Sequence, residues 1–465
     1  MNKYQKLIGN SLIFALGNLG NKLMSFLLVP LFTYTMTRAQ YGVADILSNT
    51  TLLLLPIITL GINDSLVKFI IDDSGDKVEI VSNSTILLLF GFVIGILVIP
   101  ISYLMGIPII LCFLLYLNII TSALQNFLAN YIRAIGLLKI YAFNSILYAF
   151  SVLVFSLAFL ITLNLNVIGV ISAQVFGSLI SIIFLLFKSD IIKLVSLSNI
   201  NMFSIKKLVK FAAPLIPNNT IFWLINTVSR YTILFFVGAT ANGLYAVAMK
   251  IPGLVNLFSM IFSQAWQMSA IEEKKTNMEE KQKFFSNIFI SYSLIQYFGV
   301  SIILLLLKPM TRFLFAKEFY DSWTLVPLLL MGAIYASLNG FFGQIYIAEN
   351  KTVGMLKTTI FTGIISIIAN ITLVAWIGIL GATVSQLFGW LMSLIYRIYD
   401  TKKIFSFNIR LKFHVKNHFL LILQILSNYI ISNYFINIGI QVTLLTGLLL
   451  FNLKEIKNLR VKGAK

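Results

Sequence analysis

The sequence predicts an all-α, polytopic membrane protein with about fourteen transmembrane helices arranged as two similar halves. Three observations lead there. First, 58% of the 465 residues are hydrophobic and only 11% are charged, whereas soluble domains carry about 25% charged residues. Mean hydropathy is +0.92. Second, long apolar runs recur from end to end, each enough to cross a hydrocarbon core of about 30 Å as a helix. The period-2 alternation that a β-barrel requires is absent. Third, the basic residues fall on one side of the resulting topology.

The runs place spans at about 9–36, 42–67, 80–104, 107–132, 141–163, 167–187, 209–237, 242–270, 284–307, 322–348, 354–378, 380–397, 416–435 and 438–453. Tight turns at "LNLNV" and "IGILG" divide the fifth span from the sixth and the eleventh from the twelfth. The first run is too long for the apolar core of a signal peptide and lacks a small-residue cleavage site, so it is expected to remain as a helix.

Orientation follows from Lys and Arg placement. With the N-terminus inside, Arg38, Lys308, Arg312 and Lys317 lie outside, and Lys22, Arg230 and Lys250 lie within spans. The other 28 of the 35 basic residues are then inside. That bias predicts an even number of spans with both termini cytoplasmic. It also accounts for most of the formal charge of +19 through attraction to anionic lipid, so no nucleic-acid partner is needed. Cys112 is the single cysteine and excludes an intrachain disulfide.

The segment "KSDIIKLVSLSNINMFSIKKL" mixes apolar residues with Lys and Ser and reads as an amphipathic linker on the inner surface. It separates residues 1–190, an N-lobe of spans one to six, from residues 209–400, a C-lobe of spans seven to twelve. The linker proper is 191–208, and 401–465 hold the last two spans and a basic tail. The halves are related by an offset of 201: Lys6–Leu7 to Lys207–Leu208, Asn18 to Asn219, and Gly42 to Gly243. Because both halves begin inside, the repeat is parallel, about an axis normal to the membrane. Substrate sites of repeat transporters lie between their halves.

The seventh span carries the candidate site. Asn219, Trp223, Asn226 and Arg230 fall on a stripe about 60° wide at 100° per residue. A guanidinium in a spanning helix faces a partner or a wet cavity. On the first span Asn10, Asn18, Asn21, Lys22 and Ser25 share a face. On the eighth, Lys250 precedes Gln264 and Gln267, and Lys250 reaches a depth similar to that of Arg230. Three cations against few acids imply an electropositive interior and an anionic guest, for which phosphate groups suit Arg and Lys. The bland alternative is that Arg230 and Lys250 snorkel to headgroups and that Lys22 bonds to Asn18 and Ser25. Asp64 is a candidate for ion coupling, though its spacing to Lys68 also fits a helical ion pair. Trp266 reads as packing or an interfacial anchor rather than a binding platform. His414 and His418 lack the further ligand that a metal site needs, no phosphate-binding loop appears, and no cofactor or enzyme signature is present.

The stretch Lys207–Glu273, with Pro214, Pro217, Arg230, the Gly243–Tyr245 turn, Lys250 and "FSQAWQM", resembles the polysaccharide-biosynthesis, Wzx-like oligosaccharide flippases of the multidrug/oligosaccharidyl-lipid/polysaccharide exporter (MOP) superfamily. The opening "NSLIFALGNLGNKLMSFLLVPLFTYTMTRAQYGVADI" resembles the N-terminal part of that family. Where many relatives place an acid before the arginine, this chain has Ser229. The resemblance implies a MATE/MOP-like fold, with two pseudo-symmetric six-helix lobes plus two C-terminal helices. It further implies a substrate, undecaprenyl-pyrophosphate-linked oligosaccharide, moved from the inner to the outer leaflet for capsule or another surface polysaccharide. Lys22, Arg230 and Lys250 would then contact the pyrophosphate or acidic sugars. Its partners would be the lipid bilayer and the polysaccharide polymerase machinery, and the chain would act as a monomer. A MATE-like cation-coupled multidrug exporter and a peptidoglycan-precursor flippase stay as alternatives. A membrane polymerase or ligase is disfavoured, because the outside loops are short.

Overall fold

The computed structural model describes residue 20 and residues 24–71, 76–213, 215–272, 277–349 and 351–462. Among these residues all regular structure is helical. Ten helices are long and apolar enough to cross a membrane, or eleven if a bent pair counts as one span. The chain packs as two compact units, Met1–Tyr231 with Gly238–Gly243, and Thr232–Val237 with Leu244–Lys465.

Among the described residues the first helices of the first unit are α1 (Met24–Thr35) and α2 (Arg38–Ile58). The sequence T-R-A-Q makes a capping box: Gln40 N donates to Thr37 Oγ1 at 3.3 Å, and Thr37 N donates to Gln40 Oε1 at 3.0 Å. Two orphan donors are thereby satisfied at the entry of α2. The expected second span is not continuous. It breaks at Thr59–Gly61, where Leu60 and Gly61 have φ of 50° and 64°, and resumes as α3 (Ile62–Ile71). Then come α4 (Lys77–Gly95), α5 (Val98–Leu104), α6 (Ile109–Ala134) and α7 (Leu138–Leu157). A π-helical turn at Ala158–Thr162 closes α7, and Asn164 and Asn166, both at positive φ, turn the chain into α8 (Asn166–Lys188). The "LNLNV" turn therefore stands where the sequence places it. Asn tolerates this left-handed conformation better than most residues.

The linker is an ordered strap: α9 (Ile191–Leu194), a 3₁₀ turn at Leu197–Asn199, and α10 (Met202–Ala212). Its backbone is gripped by polar side chains of α3 and α4. Ser65 donates to Leu208 O at 3.0 Å, and Ser82 donates to Leu194 O at 3.1 Å. Asn83 donates to Asn199 O at 3.1 Å and accepts from Asn201 N at 2.9 Å. Ile191, Leu208 and Ala212 join a core with Leu66, Val81 and Phe127, while Lys206, Lys207 and Lys210 are exposed. The amphipathic pattern is resolved by burying one face on the unit.

After α11 (Leu215–Phe236) the expected eighth span is bent by 48°, between α12 (Ala239–Ala248) and α13 (Pro252–Glu272). Pro252 at the start of α13 cannot donate a backbone N–H, which favours a break there. Lys250 lies in this break.

The remaining helices of the second unit are α14 (Met278–Leu314), α15 (Val326–Ala348), α16 (Thr352–Ile377), α17 (Ile379–Lys402), α18 (Leu411–Ile430) and α19 (Tyr434–Lys462). Gly378, at φ 62°, makes the one-residue turn between α16 and α17. α15 is the central post: Leu329, Leu330, Ile334, Phe341, Phe342 and Tyr346 are fully enclosed, and α13 and α17 pack against it. With 37 residues, α14 is about 55 Å long at 1.5 Å per residue.

Candidate functional site

In the first unit the answer to Arg230 is Asp45. Arg230 Nε on α11 donates to Asp45 Oδ2 on α2 at 2.7 Å, and the side chains are 13% and 8% exposed. The expectation of an unbalanced positive charge is thus corrected at Arg230. The acid missing from the preceding position, Ser229, is supplied from a helix 185 residues away in sequence. One residue on, Tyr231 hydroxyl meets Thr50 Oγ1 at 2.8 Å. The ring of Tyr231 stands edge-on to that of Trp223, with centroids 5.8 Å apart. Trp223 Nε1 is buried and, among the described residues, has no hydrogen-bond partner.

α2 presents this pair on one flank and a neutral network on another. Asn118 on α6 donates to Thr51 Oγ1 at 3.1 Å and to Gln174 Oε1 at 2.9 Å, and Gln174 on α8 donates to Ser48 Oγ at 2.8 Å. Buried polar groups in such a network fix the helix rotation, because any other rotation leaves them unpaired. Asp45 is therefore held facing α11 from behind.

The sequence repeat has a physical counterpart at the start of α2 and α12. A Cβ on Gly42 would stand 2.1 Å from Ala239 O, and one on Gly243 would stand 1.9 Å from Arg38 O. Arg38 and Ala239 are related by the same offset of 201 as Gly42 and Gly243. The two contacts are reciprocal, as contacts about a two-fold axis are. Asn242 adds a hydrogen bond to Gly42 O at 2.9 Å.

The other expected site residues are distributed as follows. Lys22 and Asn18 lie outside the described residues, as do the side chains of Asn219, Asn226 and Gln264. Lys250 is half-buried at the α12–α13 break, in the second unit. Asp64 is exposed in the first turn of α3. Lys68 lies over the Phe211 ring at 4.5 Å. Trp266 is a core residue: its Nε1 donates to Phe341 O at 3.3 Å and its ring stacks on Phe341 at 4.5 Å.

Sequence reasoning missed Arg397. It falls among the basic residues that the topology places inside, yet it is 7% exposed. Its Nε and Nη2 donate to Thr358 and Thr359 hydroxyls at 3.1 Å each, and Nη1 donates to Asn339 O at 3.0 Å. The only available signal was the threonine pair on the preceding helix, which is too common to single out. Also missed was the ion pair of Lys281 with Glu349, joining α14 to the end of α15. Among the described residues no three His, Cys, Asp or Glu side chains gather as a metal site would require.

The sequence profile described as polysaccharide biosynthesis protein matches residues 7–266. No curated protein matches the chain. Among solved structures, the lipid II flippase MurJ in an inward closed conformation superposes with a TM-score of 0.71 at 14% identity, covering 96% of this chain and 100% of that one. An inward-facing multidrug resistance MATE family transporter of the MOP superfamily gives 0.68 at 12% identity, covering 83% and 94%. A Pyrococcus furiosus MOP superfamily transporter, described as having a binding pocket of reverse polarity, gives 0.60 at 12% identity, covering 84% and 94%. The fold is thus that of the MOP-superfamily transporters.

Proposed function

Because the chain belongs to the polysaccharide biosynthesis protein family, we propose that it is a flippase that moves an oligosaccharide on undecaprenyl pyrophosphate from the inner to the outer leaflet of the bacterial cytoplasmic membrane. The family match carries this reading. The fold shared with a lipid II flippase supports it, as does the basic bias of one side of the sequence.

Arg230 is the residue on which the chemistry turns. A charged pyrophosphate cannot cross hydrocarbon unaided; it needs a hydrated path lined by cations. Arg230 is held by the Asp45 carboxylate, and a guanidinium matches the geometry of phosphate oxygens as well as that of carboxylates. The guest would compete with Asp45 for the guanidinium, so binding and release become an exchange of anions on one arginine. Lys22 and Lys250 are the further cations of this proposal, with Asn18, Asn219, Trp223, Asn226 and Gln264 contacting sugar. Asp64 is the proposed coupling residue. The prenyl tail stays among the lipid chains throughout.

A buried carboxylate, Asp45, is the one observation favouring the cation-coupled exporter reading. Its engagement by Arg230 makes it a poor cation site in this state.

Gene deletion and Arg230→Lys test the proposal together. Deletion should leave prenyl-linked glycan on the inner leaflet. The lysine variant keeps a charge opposite Asp45 but loses the fork, so glycan export should fall while the protein level is maintained. Export at the parental rate in Arg230→Lys would show that the fork has no part in transport.

A further inference from the structure

The second unit holds a groove that the transport scheme leaves unused. It lies among α15, α17 and α18 and has a volume of about 460 Å³, within the usual size of small-molecule sites, roughly 300–1,000 Å³. Leu338, Leu394, Ile398 and Ile422 make its wall apolar. Val415 and Phe419, which also line it, are 60% and 59% exposed on a helix in an apolar surround. The groove therefore opens to the acyl phase.

Two polar rings interrupt that wall, those of His414 and His418. Both Nε2 atoms are buried and, among the described residues, have no hydrogen-bond partner. The opposite nitrogens fix which protons are present. His418 Nδ1 lies 2.8 Å from His414 O, and a carbonyl only accepts, so His418 Nδ1 carries the proton. Tyr297 hydroxyl lies 2.7 Å from His414 Nδ1 and 3.2 Å from His418 Nδ1. It accepts from the second, and among the described residues His414 Nδ1 is then the acceptor within reach of its own proton. In the neutral rings, His414 Nε2 is then a donor and His418 Nε2 an acceptor. The groove thus presents one donor and one acceptor, a turn apart on α18, both unsatisfied.

We propose that this groove binds a long-chain membrane lipid whose head is a hydroxyl or a protonated carboxyl. Such a head accepts from His414 Nε2–H and donates its own proton to His418 Nε2, while the chain lies along the apolar wall. An ionised phosphate has no proton to give to His418, so the site is chemically distinct from one for a pyrophosphate carrier. An ester or a plain hydrocarbon leaves the acceptor unmet. A free alcohol and a fatty acid share the required chemistry.

The test uses the full chain in proteoliposomes with photoreactive sixteen-carbon probes: the alcohol, the acid, and their methyl ether and methyl ester. Labelled peptides are mapped by mass spectrometry. Alcohol or acid should label α17 and α18 roughly tenfold more than its methylated counterpart, the factor that one buried hydrogen bond supplies. Whichever of the two labels more strongly identifies the source. Val415→Trp, at an exposed position, should fill the groove and reduce labelling to the level of the ether. Equal labelling by the alcohol and its ether, and by the acid and its ester, would overturn the proposal. So would labelling of α17 and α18 that persists in Val415→Trp.

Discussion

Gly42 and Gly243 lie backbone against backbone, and the place a Cβ on either would need is taken by a carbonyl of the other's helix, Ala239 O and Arg38 O respectively. They occupy equivalent places in the two halves of the sequence. The repeat is thereby more than a trace of ancestry: it is a contact in which both partners must be the smallest residue.

Gly42→Ala should destabilise the protein by about 1–3 kcal/mol, the usual cost of overpacking, because its neighbour is a carbonyl and cannot rotate away. Gly299→Ala, in the interior of α14, is the control. Nothing lies within 4 Å of its added carbon, and alanine gains about 1 kcal/mol over glycine inside a helix. Thermal unfolding of the solubilised protein should move in opposite directions for the two.

Removing either member of the Asp45–Arg230 pair leaves a buried charge. Asp45→Ala or Arg230→Ala alone should cost about 3–5 kcal/mol, and the double variant less than the sum. Midpoints from chemical unfolding of the four proteins give the coupling. Strict additivity would mean that the pair contributes nothing.

Arg397 is stabilised by three neutral oxygens. Arg397→Met should lower stability by about 1–3 kcal/mol by leaving the Asn339 carbonyl and two threonines short of partners. Since it lies in the interior of the second unit, the effect should appear as a reduced amount of folded protein. Glycan export per folded molecule should be unchanged, as measured by fluorescence size exclusion beside an export assay.

Asn83 is the clamp of the linker. Asn83→Ala deletes a donor and an acceptor that hold Asn199 and Asn201. Local opening should rise roughly tenfold, as expected for a loss of about 1.4 kcal/mol. Trypsin cleavage after Lys193, whose side chain is 80% exposed, reads it directly. An unchanged cleavage rate would assign the strap's order to Ile191 and Leu208 instead.

The spans were legible because hydrocarbon imposes long apolar runs, and the turns at Asn164 and Gly378 were legible because few residues adopt positive φ. The interruptions at Thr59–Gly61 and Met249–Ile251 were not, since apolar composition runs straight through them. Arg230 announced itself by being charged in an oily helix. Its partner did not: Asp45 sits near a helix end, where a carboxylate passes as ordinary surface. Arg397 was hidden for the same reason, being one basic residue beside a basic tail. Pairing across 185 residues leaves no local mark in a single sequence.

At about 55 Å, α14 outreaches a bilayer that measures about 40–45 Å with its headgroups. Held upright, a helix of that length would protrude, and the end carrying Glu279, Glu280, Lys281 and Lys283 is its charged one. A reporter fixed to those first turns would sit in solution yet share a rigid shaft with the membrane interior, so tilting of the buried portion would be amplified into displacement at the tip.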